Sequence, residues 1–335
     1  MLTIVVIADP VPSLLPAHDT SVALMEAAQR RGHRILVTTA AGLSVRDGRA
    51  RARCQPLELT PARLVDGRWL APADWWRAGP AEDIVLDTAE AVLMRTDPPV
   101  DDMYLRATYL LDYVDPRHTL LINDPRGLRE ANEKLFTLRF GELIPDTLIS
   151  ADLRELVATV SEWGRAVLKP TDAMGGRGIL LLRPGDLNLH SALEISTDRG
   201  RRQVILQRWV PAAVDGDRRV IVLDGEPVGV IRRVAVPGEF RCNMAAGAAV
   251  LADSVSTRDK EICDILRPEL NRLGIVLAGI DVIGDHLTEI NVTSPTGVRE
   301  IDASCGTSLA ELIIEHIEHR CRALGRGHGT TPPVA

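Results

Sequence analysis

Residues 2–8 (LTIVVIA) form a β-rich apolar run that reads as a buried strand. Asp19 can cap a helix from Thr20 to Arg31, Gly32 ends it, and Arg34 to Thr38 supplies the next strand. This is a βαβ opening. Its first turn, residues 9–13 (DPVPS), lacks GxGxxG, so no dinucleotide site is expected there. Asp47-Gly48 and Asp66-Gly67 mark hairpin turns inside a short β-rich excursion. Ala91 to Met94 is a further strand, a helix spans Asp101 to Tyr113, and the strand Thr119 to Asn123 closes a first unit at Asp124-Pro125. The strand at 91–94 runs into Arg95-Thr96-Asp97-Pro98-Pro99, a charged cluster at a carboxyl end, where α/β sheets bind ligands; a proline-stiffened loop is the plain alternative.

Beyond this unit, Arg126 to Phe140 reads as a helix carrying Asn132, Glu133 and Lys134. A helix over 152–163 leads into a strand over 166–169, and a glycine-rich turn, residues 170–178, precedes the strand 179–182. A strand-end lysine beside three glycines in four positions suits phosphate, since glycine lets backbone N–H groups approach an anion and Lys169 adds a point charge. It is not a P-loop, because GxxxxGK[ST] is absent and a strand follows. Strands are expected at 203–210, 220–223 and 226–234. Residues 236–248 (VPGEFRCNMAAGA) form a long loop of the kind that serves as a lid. Thr257 to Leu273 and Thr307 to Leu324 are amphipathic helices, the first with Thr257 as N-cap and interrupted by Pro268.

Between those helices, residues 280–283 and 287–290 flank Gly284-Asp285-His286, a hairpin signal. With a three-residue loop, 283 pairs with 287 and 281 with 289. Asp281, Glu289 and Asn291 then share a face, opposite Ile280, Val282 and Ile290. Two carboxylates and an amide oxygen make a hard oxygen site of the kind Mg²⁺ takes together with phosphate oxygens. A two-residue turn would instead split Asp281 from Glu289 and leave a surface hairpin with solvated acids.

Composition narrows the class. A chain of 335 residues with 45% hydrophobic and 25% charged residues fits a soluble globular protein of two or three domains, and 3% aromatics imply an aliphatic core. A net charge of -7 disfavours a nucleic-acid partner but not a nucleotide, which local Lys and Arg can cradle. Trp69, Trp75 and Trp76 come with no basic stripe and read as packing anchors. The five cysteines show no CxxC or metal spacing, so reduced thiols in a cytoplasmic protein are expected. Asp9 comes too early for a secretory signal, and no apolar run is long enough for a membrane.

Strand-end lysine, glycine turn, hinge strand, Arg-rich strands and acidic hairpin together suggest ATP-grasp chemistry. More closely, the chain resembles prokaryotic glutathione synthetases from Ile4 to about Ile317. The resemblance is carried in order by ADP at 8–10, DTS at 19–21, MRTDPP at 94–99, NEKLF at 132–136, LKP at 168–170, DAMGG at 172–176, DGDRRV at 215–220, DGEPV at 224–228, RCNMAAG at 241–247 and LTEINVTSPTGVREI at 287–301. It implies an α/β ATP-grasp fold, with a Rossmann-like pre-ATP-grasp domain (1–123) and two α+β subdomains clasping ATP (124–207 and 208–325), then a disordered tail (326–335). It also implies an ATP-dependent ligase that joins γ-glutamylcysteine to glycine through an acyl phosphate, with Mg²⁺ or Mn²⁺. A cytoplasmic homo-oligomer, commonly a tetramer in the family, is implied too, with small-molecule substrates only.

Position by position, the resemblance puts Lys134 and Lys169 on the ATP phosphates and Gly175 and Gly176 in the loop covering them. The hinge beside adenine would be Gln207, Arg208, Trp209 and Val210, with Asp217 on the ribose. Asp281, Glu289 and Asn291 would ligate the metal, and Arg219 and Arg233 would steady the transferring phosphate. Arg241 and Asn243 would lie in the lid, with Asp19, Ser21 and Arg95 on the dipeptide side. Phe240 and Cys242 stand where the family's lid has small residues, which bears on acceptor choice. Two other readings stay open: an ATP-grasp ligase for a different γ-glutamyl or amino-acid pair, and a nucleotide-binding protein without catalysis.

Overall fold

The computed structural model describes residues 1–326. The tail expected over 326–335 lies, from residue 327 on, outside the described residues. Three main sheets follow one another along the chain. The first contains β1 (Thr3–Ile7), β2 (Arg34–Thr38), β3 (Leu43–Arg46) and β4 (Arg49–Leu59). A separate hairpin, β5 (Arg63–Val65) and β6 (Arg68–Leu70), interrupts it before β7 (Trp76–Ala78), β8 (Glu82–Val85), β9 (Ala91–Met94) and β10 (Leu120–Ile122). The main path runs β10-β9-β1-β2-β4-β3, with β10, β9, β1 and β2 parallel. Helix α1 (Thr20–Arg30) connects β1 to β2, and α2 (Asp102–Leu111) connects β9 to β10. The Asp19 carboxylate accepts from the Ser21 and Val22 amides, so the expected N-cap is present.

After α3 (Pro125–Glu130), the second sheet is built from β11 (Thr147–Ser150), β12 (Ala166–Pro170), β13 (Leu180–Leu182) and β14 (Val204–Arg208), ordered β11-β14-β12-β13. Helices α4 (Leu153–Trp163) and α5 (Leu189–Ser196) pack on it. The third sheet, β15 (Asp217–Leu223), β16 (Glu226–Val234), β17 (Ala249–Ala252), β18 (Leu277–Ile283) and β19 (His286–Asn291), is antiparallel in the order β17-β16-β15-β18-β19. Helices α6 (Thr257–Arg272), α7 (Val298–Cys305) and α8 (Leu309–Arg326) complete it.

Several expectations are corrected. The helix expected over 126–140 stops at Glu130, and a 3-10 turn resumes at Leu135, so residues 131–134 cross in irregular backbone. The α6 cap is Ser256 rather than Thr257, in a reciprocal box with Asp259, and Pro268 lies within one continuous helix. The last helix starts at Leu309, not Thr307, and α7 was not anticipated. The tryptophans are packing anchors as expected: Trp75 is buried, and the Trp69 indole donates to the Arg299 carbonyl at 2.7 Å.

Core packing decides which parts move together. Two aliphatic cores each contain residues of both the first and the third sheet, such as Val5 with Ile280 and Ile4 with Ile221. The second sheet keeps a core of its own around Leu156, Leu168 and Leu206. Sheets one and three are therefore fused, while sheet two is an independent leaf over them. Asn123 is one fastener of the fused body. Its amide donates to the Leu277 and Val292 carbonyls and accepts from the Val276 and Leu277 amides, all at 2.7–2.9 Å. Asn123→Ala is expected to cost about 2–4 kcal/mol, because four buried backbone groups lose their partner. Denaturant titration measures this, and a change below about 0.5 kcal/mol would show that the fastening lies elsewhere.

A second fastener depends on pH. The Glu318 carboxylate of α8 takes Arg31 at 2.7 and 2.9 Å and His33 at 2.8 Å. The Arg31 bond chiefly holds its pKa down at about 2, below the ordinary 4.5. A depressed carboxyl stabilises the fold fully above its unfolded pKa and loses that contribution as pH falls through the folded one. The window is therefore about pH 4.5 down to about 2. Glu318→Gln is expected to melt at a lower temperature than the parent at pH 7, with the gap closing as pH falls through that window. A constant gap would assign the loss to packing instead.

Candidate active site

The acidic hairpin has a different turn from the one expected. Ile283 pairs with His286, not with residue 287, so the turn has two residues, Gly284 and Asp285. By itself that would split Asp281 from Glu289. A bulge shifts the register between Asp281 and Val282 and restores the Asp281–Glu289 pair, followed by Ile280–Ile290 and Gly279–Asn291. Thr288 is the extra residue, and its hydroxyl donates to the Asp281 carbonyl at 3.1 Å. Ile280, Val282 and Ile290 are fully buried on the other side.

Cross-strand neighbours on β15 and β16 complete the cluster. Arg219 pairs in register with Asp281 and holds both its carboxylate oxygens, at 2.5 and 2.9 Å. Arg233 pairs in register with Asp217, holds both its oxygens at 2.8 and 2.7 Å, and also reaches Asp281 at 3.1 Å. Burial alone would raise both carboxyls. The two guanidiniums hold Asp281 below the usual carboxylate range, whereas for Asp217 burial wins and its pKa is raised. This buried quartet is balanced in charge, so removing one member would leave an uncompensated ion.

The lysines arrive from the middle of the chain. Lys134 sits in the irregular 131–134 crossing and meets Glu289 at 2.9 Å. Glu133, to which sequence reasoning assigned no role, makes this possible. Its carboxylate accepts from the Val292 and Thr293 amides and the Thr293 hydroxyl, and its carbonyl accepts from the Ile290 amide, so the crossing is tied to β19. Lys169, at the end of β12, donates to Gln207 of β14 at 2.7 Å, and burial lowers its pKa.

Two spaces that share Asn243 and Glu289 in their walls lie beside these groups, and Lys134 lines neither of them. Lys169, the hinge residues Gln207–Val210, Asp217, Arg241, Asn243, Asp281 and Glu289 line a narrow cleft between the second and third sheets. A larger cavity of about 770 Å³ opens toward the first sheet, lined by Asp19, Gly175, Arg219, Arg233, Asn243, Glu289 and Asn291. Gly176 lies where the lid meets the glycine turn: a Cβ there would fall 2.5 Å from the Asn243 amide oxygen, and Arg241 donates to its carbonyl at 3.1 Å. Ser21 and Arg95 are buried beside the larger cavity rather than in its wall, bonded to each other at 3.1 Å. The Arg208 side chain points outward to Asp146. Phe240 reaches the narrow cleft, its ring edge-on to Trp209.

A Mg²⁺ site fits the donor set. No group of three His, Cys, Asp or Glu residues that could hold a metal occurs among the described residues. Asp281 and Glu289 supply carboxylates. Asn291 donates its NH₂ to the Gly279 carbonyl, which leaves its amide oxygen as an acceptor. Three protein oxygens are too few for an octahedral shell, which suits an ion that keeps waters and shares phosphate oxygens.

Comparison with known proteins identifies the family. Residues 2–129 match the family "Prokaryotic glutathione synthetase, N-terminal domain" and residues 133–306 the family "Prokaryotic glutathione synthetase, ATP-grasp domain". The chain is 51% identical to a glutathione synthetase of Thermosynechococcus vestitus over 93% of its length and 98% of the relative's. It is 50% identical to one of Nostoc sp., over 93% and 96%. The fold is shared with the ATP-grasp ligase PsnB (TM-score 0.61, 17% identity, 96% and 98% covered) and with D-cycloserine synthetase DcsG (TM-score 0.62, 15% identity, 95% and 99% covered). With both of its domains matched and relatives of half-identical sequence over nearly the full length, the chain belongs to the prokaryotic glutathione synthetase family of ATP-dependent ligases.

Proposed function

We propose that the chain joins γ-L-glutamyl-L-cysteine to glycine, converting ATP to ADP and phosphate. One observation supports the reading: the bulge restores the pairing of Asp281 with Glu289, with Lys134 on Glu289 and Arg219 and Arg233 on Asp281. A carboxylate is a poor electrophile, and phosphorylation gives it a leaving group. The cysteinyl carboxylate oxygen attacks the γ-phosphorus and ADP departs. The glycine amine then attacks the acyl carbon and phosphate leaves.

In this reading, Lys134 and Lys169 offset phosphate charge, and the backbone of Gly175 and Gly176 covers the phosphates. Residues 207–210 frame the base, with Asp217 beneath the ribose. Arg219 and Arg233 hold the two reacting anions together in a site shielded from bulk water. Arg241 and Asn243 close over the intermediate and exclude water. Mg²⁺, or Mn²⁺ in its place, would be held by Asp281, Glu289 and Asn291 and would neutralise charge on the nucleotide. Asp19, with Ser21 and Arg95 behind it, would form the dipeptide side. The working division is 1–123 for the dipeptide side, 124–207 for the central leaf and 208–325 for the metal-bearing part, in a cytoplasmic homo-oligomer.

The test supplies ATP, Mg²⁺, γ-glutamylcysteine and glycine, and follows phosphate and tripeptide together. Equal release of both is expected. Phosphate without tripeptide would move the reading to another acceptor, as Phe240 and Cys242 in the lid would favour. No phosphate with any acceptor would leave only nucleotide binding.

A further inference from the structure

Basic charge in this chain is almost all arginine: of 39 lysines and arginines, only Lys134, Lys169 and Lys260 are lysines. The two near the site are held differently. Lys134 meets the Glu289 carboxylate at 2.9 Å and donates to the Ala173 carbonyl. Lys169 donates to the Gln207 amide oxygen at 2.7 Å, and among the described residues it has no carboxylate partner. Gln207 is fixed in that pose, since its NH₂ donates to the Thr147 hydroxyl at 3.2 Å. A neutral amide oxygen accepts from an ammonium and from a neutral amine alike, so this partner does not hold Lys169 in its charged form.

Lys169 lines the narrow cleft and is only partly buried. The other charges in that wall are paired. Asp217 and Asp281 are taken by Arg233 and Arg219, Glu289 by Lys134, Arg208 by Asp146 and Arg241 by Glu239. Lys169 is therefore the one ion of the cleft wall without a counter-ion among the described residues, and it offers a small anion an uncompensated positive charge. Burial lowers its pKa, against the pull of Glu289, so more of it is neutral amine than of a lysine in water. A desolvated lysine of this kind is an activated nucleophile.

We propose that Lys169 is a modification site, acylated by small acyl phosphates in the nucleotide-free chain and shielded when nucleotide fills the cleft. This rests on the phosphate-binding role given to Lys169 in the proposed function and adds a way of switching it off. The phosphate end of the reagent is drawn to the same cationic wall, which holds its acyl carbon close to the amine. The neutral amine nitrogen attacks the acyl carbon, and the bond from that carbon to the phosphate oxygen breaks. Inorganic phosphate leaves with the electron pair, and a proton passes from the nitrogen to water. An N-acyl-lysine remains, with neither the positive charge nor the ammonium donors that a nucleotide phosphate would use.

Acetyl phosphate with Mg²⁺ and the full chain tests this, read by intact mass and peptide mapping. Lys260 lies exposed on α6 and serves as the ordinary lysine of the same molecule. Lys169 is expected to be acetylated at least about tenfold faster than Lys260. Saturating ATP or ADP should bring the Lys169 rate to that of Lys260 or below and leave Lys260 unchanged. Loss of ATP affinity, measured by calorimetry, should follow the fraction acetylated at Lys169. Gln207→Glu replaces the neutral partner by a carboxylate of nearly the same shape. With its ammonium then held in an ion pair, Lys169 should react at least about fivefold more slowly than in the parent, while Lys260 does not change.

Acetylation of Lys169 no faster than of Lys260 overturns the proposal, as does a Lys169 rate that nucleotide leaves unchanged or a Gln207→Glu chain that reacts like the parent. These outcomes are separate from those of the ligase assay. Nucleotide-protected acetylation in a chain that forms no tripeptide would keep the modification site and reject the ligase reading, while tripeptide formation without selective acetylation would do the reverse.

Discussion

Glu289→Gln is expected to lower kcat/KM at saturating ATP by about 100-fold and to raise the Mg²⁺ concentration needed for half-maximal rate. The side chain keeps its shape and its carbonyl oxygen, so it can still accept from Lys134, which lies 2.9 Å from the native carboxylate. What it loses is the charge. Of three expected protein donors, two are anionic, and removing one halves the negative charge offered to the ion. The melting temperature should fall by no more than about 3 °C, because the Lys134 contact survives as a neutral hydrogen bond. Rates at graded Mg²⁺, with circular dichroism as the fold control, decide the matter. Parental turnover at every Mg²⁺ concentration would remove Glu289 from the metal site and with it the central feature of the proposed mechanism.

The second large effect is expected in nucleotide binding. Lys169→Ala should weaken ATP affinity by about 10- to 150-fold, the value of about 1.5–3 kcal/mol for a hydrogen bond to a charged group. Lys169 donates to Gln207, and burial lowers its pKa, so its ammonium is held at a cost in solvation. An incoming triphosphate offsets that cost, which is why affinity rather than stability should respond. Truncation also frees the Gln207 amide oxygen, so a small loss in the apo melting temperature accompanies it. Calorimetric titration with ATP and with ADP measures the change. Affinities equal to the parent's would move the phosphates away from the second sheet.

Much of this is legible in the amino-acid sequence. Strands such as Arg34–Thr38 and Ala91–Met94 end where their apolar runs end. Local burial alone sets such boundaries, because each strand lies between two packed layers. The Asp19 cap was equally plain, since a side-chain acceptor ahead of an apolar periodic run has few other uses. The ten ordered motifs pointed to the family, which the matched domains and relatives then showed.

The site's assembly was less legible. Residues 126–140 have helical periodicity throughout, yet the helix breaks after Glu130 because Glu133 finds better partners in the backbone of residues 292 and 293. No local scale records a partner about 160 residues away. The hairpin shows the same limit: its sequence allows two turns, and the expected three-residue loop is not the one formed. The pairing of Asp281 with Glu289 survives through a bulge at Thr288, which neither turn rule includes.

The chain by itself determined most of the order of elements, caps such as Asp19 and which side chains bear chemistry, because these depend on neighbours a few positions apart. Tertiary structure alone decided that Arg219 and Arg233 meet Asp281 and Asp217, that Lys134 reaches Glu289, and that Asp9, Asp19 and Asp97 share one crevice. Those contacts join charges brought together by sheet register and by the packing of the first sheet against the third. Charge acts through distance in space, and only the closed fold sets that distance.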